Sequence, residues 1–126
     1  MGVALTMARG DDIEERLIDF AVRIIRVCEA LPNKPAERHI RGQLLRCGTS
    51  VAPNYAEARG AESGKDFVHK LKLVLKELNE SRVWLKIMIQ AGFLPENRLE
   101  ALLDECDQLC RIISASIQTA RQTTHN

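Results

Sequence analysis

The sequence predicts an all-α chain folded as an antiparallel up-down-up-down four-helix bundle. Three observations carry this. The composition is dominated by Leu, Ile, Ala, Glu, Lys and Arg, with only 4% Phe, Trp and Tyr, which favours helix over sheet. Apolar residues recur at three- and four-residue steps in four long runs. A short Pro- or Gly-bearing stretch separates each run from the next, so neighbouring helices are expected to lie antiparallel.

The 126 residues make one domain, large enough to bury roughly two-thirds of its unfolded surface. The net charge of +1 gives no global pull toward nucleic acid or membrane. The charge is uneven, however. Residues 32–86 hold eleven Lys and Arg against six Asp and Glu, while the flanks together hold seven against eleven. No run reaches the roughly eighteen apolar residues of a membrane span, and the opening residues lack a secretory signal. A cytoplasmic protein without a membrane partner is expected.

Residues 1–10 read as an N-terminal tail. The first helix, about 11–31, is expected to be capped by Asp11 or Asp12. Its core stripe is Ile13, Leu17, Phe20, Ala21, Ile24, Cys28 and Leu31. Arg16, Asp19, Arg23 and Arg26 form its solvent face, and Pro32 and Pro35 end it.

The second helix, about 35–59, carries two stripes. Ile40, Leu44, Cys47, Val51, Tyr55 and Ala58 are the apolar one. His39, Gln43, Arg46, Ser50, Asn54 and Glu57 are a polar one about a quarter-turn away. Pro53 removes an amide donor and crowds the carbonyl of Thr49, which predicts a kink. The alternative is that the helix stops at Ala52; the continuing apolar register favours the kink.

The third helix, about 64–91, has Ser63 as its N-cap and Gly92 as its C-cap. Phe67, Leu71, Val74, Leu75, Leu78, Leu85 and Ile89 are its core stripe. Lys65, His69, Lys72 and Lys76 line up on the opposite side. Val83, Trp84 and Ile87 then take over those directions, so the last turns are apolar nearly all round. Such an end is expected to pack against another subunit, with Trp84 as anchor. The competing reading is a thick core beneath Phe93, Leu94 and Pro95. The fourth helix, about 96–121, is expected to be capped by Asn97. Leu99, Leu102, Leu103, Cys106, Leu109, Cys110, Ile113, Ile117 and Ala120 form its stripe, and residues 122–126 read as a frayed tail.

Cys28, Cys47, Cys106 and Cys110 all fall on apolar stripes and form no CxxC pair. They read as core thiols in a reducing compartment. A metal site of Cys106 and Cys110 with Cys28 or Cys47 is the weaker alternative, since no His shares those faces. No metal, cofactor or catalytic constellation is suggested by spacing.

The run Ser50-Val51-Ala52-Pro53-Asn54-Tyr55-Ala56-Glu57 resembles the signature of the bacterial "four helix bundle protein" family. Its members were first noticed as reading frames within intervening sequences of bacterial large-subunit (23S) ribosomal RNA genes. Gln43-Leu44-Leu45-Arg46, Lys65-Asp66-Phe67, Leu78-Asn79-Glu80 and Ala91-Gly92-Phe93-Leu94 support it, so the resemblance covers about residues 38–94. One departure is Ala58, where the family has Gly directly after the Ala-Glu pair. The resemblance implies a left-handed bundle. It further implies ring-like homopentamers, because related accessory proteins of diversity-generating retroelements assemble so. Those proteins work with a reverse transcriptase and bind nucleic acid through basic surface.

Two functions are therefore expected. One is a non-enzymatic oligomeric bundle that binds RNA or DNA through Arg38, Arg41, Lys65, His69, Lys70, Lys72 and Lys76. The other is a protein-binding scaffold whose partner docks on the polar stripe or the apolar end of the third helix. The polar stripe itself, Arg46, Ser50, Asn54 and Glu57, reads first as internal: Glu57 is expected to pair with Arg46 or Arg82 and so steady the backbone at Pro53.

Overall fold

The computed structural model describes residues 2–125, with side chains described for 10–123. The expected four-helix bundle is what the chain forms: α1 (Gly2–Ala30), α2 (Pro35–Arg59), α3 (Gly64–Ala91) and α4 (Glu96–His125). Contacts follow chain order, α1 on α2, α2 on α3, α3 on α4, with α4 returning to α1. Among the described residues the backbones of α1 and α3, and of α2 and α4, do not approach closely, so these pairs are diagonal across the core.

Each connection is fixed by short-range chemistry. Pro35 opens α2 as its first helical residue, where a missing amide costs nothing. Ser63 caps α3, its hydroxyl accepting from the Asp66 amide at 3.1 Å. Gly92 ends α3 in the left-handed region at φ 70°, which glycine adopts without steric cost. Gly60 follows α2, and Ala58 lies buried in the last turn before it. The helix passes Pro53 without a break, so the alternative end at Ala52 does not occur.

The ends differ from expectation. α1 begins at Gly2 rather than at Asp11, because residues 2–10 contain no proline to stop a helix. Asp11 therefore caps nothing; its carboxylate meets Arg59 at 2.9 Å. α4 begins at Glu96, as expected, and runs on to His125 rather than ending near 121, but Asn97 lies inside its first turn. There the Pro95 carbonyl accepts from the Arg98 amide at 3.0 Å. Met1 and Asn126, the extremes of the two expected tails, lie outside the described residues.

The core is one continuous cluster along the axis. Leu17, Phe20 and Ile24 of α1 meet Leu44, Cys47 and Val51 of α2, Leu71, Leu78 and Leu85 of α3, and Leu99, Leu109 and Ile113 of α4. Two small residues set close approach. A Cβ on Gly48 would lie 2.9 Å from both Cγ1 and Cγ2 of Ile24. Ser81, fully buried, sits beneath Cys47; its hydroxyl lies 2.8 Å from the Glu77 carbonyl and 3.2 Å from the Cys47 sulfur. Among the described residues no helix is long and apolar enough to cross a membrane.

Candidate functional site

The polar stripe of α2 runs down the seam between α2 and α3. At one end the His39 ring meets Trp84 edge-on, centroids 6.1 Å apart. In the middle the Arg46 guanidinium reaches Glu77 at 3.4 Å and also pairs with Glu80. Glu80 accepts in addition from the Trp84 indole N–H at 3.1 Å. At the other end Glu57 pairs with Lys70 at 3.2 Å. Ser50 turns its hydroxyl back to the Cys47 carbonyl, 2.9 Å away, and Asn54 is half-buried one turn further along.

The expected pairing of Glu57 with Arg46 or Arg82 is not formed. Eleven residues of helix, roughly 16 Å, separate Arg46 from Glu57, and Lys70 is nearer. Arg82 lies on the other flank of α3, 3.9 Å from Asp107 of α4. The stripe thus works as a row of cross-links between two neighbouring helices.

The basic residues divide into two groups. Lys65, His69, Lys72 and Lys76 stand exposed in one outward row on α3. Among the described residues none of the three lysines enters an ion pair. Arg38 is exposed at the far end, where α2 begins. Lys70 and Arg41 are engaged inside the fold. Arg41 donates to the carbonyls of Cys28 at 3.0 Å, Leu31 at 2.8 Å and Pro32 at 3.0 Å. It closes the C-terminal end of α1, whose last carbonyls lack helical partners.

Beyond the lysines the same outward face of α3 carries Val83, 50% exposed, and Ile87, 38% exposed. Trp84 turns aside into the α2–α3 seam and is half-buried there. A second exposed apolar stripe lies on α1: Ile18, Val22 and Ile25, with Leu45 of α2, are 38–43% exposed. The core period of α1 masks it in the sequence, although its own four- and three-residue steps are visible once sought.

The cysteines are all free thiols, and among the described residues no three metal-binding side chains come together. Burial pushes the Cys28 thiol from an ordinary 9.0 up to about 11. The neighbouring Cys110 thiol, then burial, raise Cys106, whose Sγ donates to the Leu78 carbonyl at 3.3 Å. Such thiols are poor nucleophiles. An open apolar cleft of about 450 Å³ lies at one end of the bundle, lined in part by Ile13, Tyr55, Phe67, Ile112 and Ser116. It carries no convergent set of charged or nucleophilic groups.

Comparison with known proteins agrees with this geometry. A protein of unknown function from the S23 ribosomal protein family of Bacteroides thetaiotaomicron VPI-5482 has a similar crystal structure. It shares 30% identity, with a TM-score of 0.80, over 86% of this chain and 97% of that one. No curated protein matches the chain. The sequence matches the family described as "23S rRNA-intervening sequence protein" over residues 11–115. The chain belongs to that family.

Proposed function

We propose that the chain works without catalysis, as a self-assembling bundle in the cytoplasm that holds RNA or DNA on the outward row of α3. The observation that carries this reading is the row itself. Lys65, Lys72 and Lys76 project from one helix face with no acidic partner among the described residues, whereas Lys70 and Arg41 serve the fold. Lys65 to Lys76 spans roughly 16 Å of helix, enough to follow several phosphates of one strand. Assembly would repeat the row once per subunit, so weak sites would act together. A ring of five subunits is the form favoured by the resemblance to the retroelement accessory proteins. Free thiols support a reducing compartment.

Binding of this kind is sequence-tolerant and salt-sensitive. With three phosphates neutralised, affinity should fall roughly 40-fold between about 50 and about 200 mM salt. A mobility-shift titration with single- and double-stranded RNA and DNA tests it. The triple variant Lys65→Ala, Lys72→Ala, Lys76→Ala should lose both the affinity and its salt slope. Binding absent from the wild-type assembly at low salt, or unchanged in the variant, would sink the reading.

A second reading, a protein-binding scaffold without nucleic acid, is favoured by the exposed apolar stripe of α1. Retained assembly with no nucleic-acid shift would select it.

A further inference from the structure

We propose that Cys110 is a site of reversible mixed-disulfide formation with a small anionic thiol, whose carboxylates are received by Arg82 and Arg111. Cys28, Cys47 and Cys106 are buried, and Cys110 alone of the four cysteines is part-exposed. It opens on the α3–α4 seam into a cleft of about 350 Å³, lined also by Asn79, Arg82, Asp107 and Arg111. That volume is at the small end of the ~300–1,000 Å³ of ligand pockets. The site needs nothing from the lysine row of α3.

The cleft is cationic, with two arginines against one aspartate. Asp107 engages Arg82 only loosely, at 3.9 Å. The Arg82 Nε N–H is shielded from solvent, yet among the described residues nothing accepts from it. A buried donor without an acceptor is destabilising, and an incoming carboxylate is the acceptor that an arginine fork fits best. The Cys110 thiol is itself weakly held, donating to the Asn79 side-chain oxygen at 3.7 Å. The Cys106 thiol beside it, then Arg82 and Arg111, hold its pKa below the ordinary 9.0 in spite of burial. Part-exposed thiols in such positive surroundings are the reactive ones.

Cys106 shows why the new bond goes to an outside thiol. It sits one helical turn before Cys110, its own thiol turned to the Leu78 carbonyl. Residues four apart on a helix hold their Cβ atoms about 5–6 Å apart, whereas a disulfide needs about 3.5–4.5 Å. An internal bridge would require α4 to unwind. Cys110 instead gives its proton to solvent, and the thiolate attacks one sulfur of a small-molecule disulfide. A new S–S bond joins Cys110 to one half, the old S–S bond breaks, and its electron pair leaves with the other half as a thiolate. Cys110 is oxidised and the departing half is reduced; excess thiol reverses the step.

The test exposes the full chain to three disulfides: glutathione disulfide, which is anionic, 2-hydroxyethyl disulfide, which is neutral, and cystamine, which is cationic. Intact-mass spectrometry gives the rates, each divided by that of neutral N-acetylcysteinamide, and peptide mapping gives the site. One glutathionyl group per chain is expected, on Cys110, removed by dithiothreitol and absent from Cys110→Ser. The normalised rate with glutathione disulfide should exceed that with cystamine roughly tenfold, as a cationic cleft concentrates anions. Arg82→Gln with Arg111→Gln should abolish that preference while 2-hydroxyethyl disulfide still reacts. Circular dichroism checks folding; should the double variant unfold, Arg111→Gln alone replaces it, since Arg111 is exposed, and should lower the preference. Modification first at another cysteine, a Cys106–Cys110 bridge, or equal normalised rates with all three reagents would overturn the proposal. So would a preference that survives in the folded arginine variant.

Discussion

Gly48 shows how much one hydrogen decides. Its α-carbon faces Ile24 at a distance that leaves no room for a methyl group. Gly48→Ala should gain about 1 kcal/mol in helix propensity and lose about 1–3 kcal/mol to overpacking. A net loss of about 1 kcal/mol is expected from these two, read as a lower urea midpoint with unchanged slope; a stabilised variant would show that Ile24 yields freely. Cys28 gives a second prediction. Burial raises its pKa from 9.0 to about 11 in the fold, so the folded chain holds a proton that the unfolded chain releases. Its contribution is complete below pH 9.0 and fades as pH rises to about 11. Stability should fall across that window, less steeply in Cys28→Ala, when denaturation is followed at several alkaline pH values. At this scale the apolar core is legible in the sequence, because its period names it. Ser81 is not, since a hydroxyl satisfied by its own helix leaves no mark in hydropathy.

Among the elements, the α1–α2 hairpin depends on a side chain that sequence alone assigns elsewhere. Arg41 reads as basic surface, yet three carbonyls at the end of α1 take up its donors. Its spacing does not reveal this, because the acceptors lie outside its own helix and become visible only when the turn is built. Arg41→Ala should cost about 2 kcal/mol, the value of charge-assisted hydrogen bonds. Arg41→Lys should recover only part of it, since one ammonium lacks the guanidinium's fork. Chemical denaturation of both variants checks the order. The caps of α3 are readable from Ser63 and Gly92, where the residue type itself carries the geometry. The start of α1 is not, because no breaker stands where Asp11 invites one; α4 starts directly after Pro95 as expected, with only the Asn97 cap misplaced.

For the whole molecule, the bundle follows from four periodic runs and three short connections, and the outward lysine row of α3 follows from the same period. The second exposed stripe, on α1, escapes because one helix carries two apolar faces and the deeper one absorbs the signal. If copies cover these faces for one another, the thermal midpoint should rise with protein concentration, since association draws on the folded state alone. Differential scanning calorimetry over a hundredfold range of concentration measures this; a constant midpoint would argue for a lone folded chain. The four seams of the bundle are unequal. Among the described residues α2 and α3 touch most and α1 and α4 least, with Arg16 bridging the latter to Glu105 at 2.6 Å. Three seams are hinged by a turn of the chain, whereas this one joins its first and last rods with no covalent tie nearby. The molecule is in effect a book with its spine at α2–α3, and thermal breathing would begin at the unbound edge of its covers.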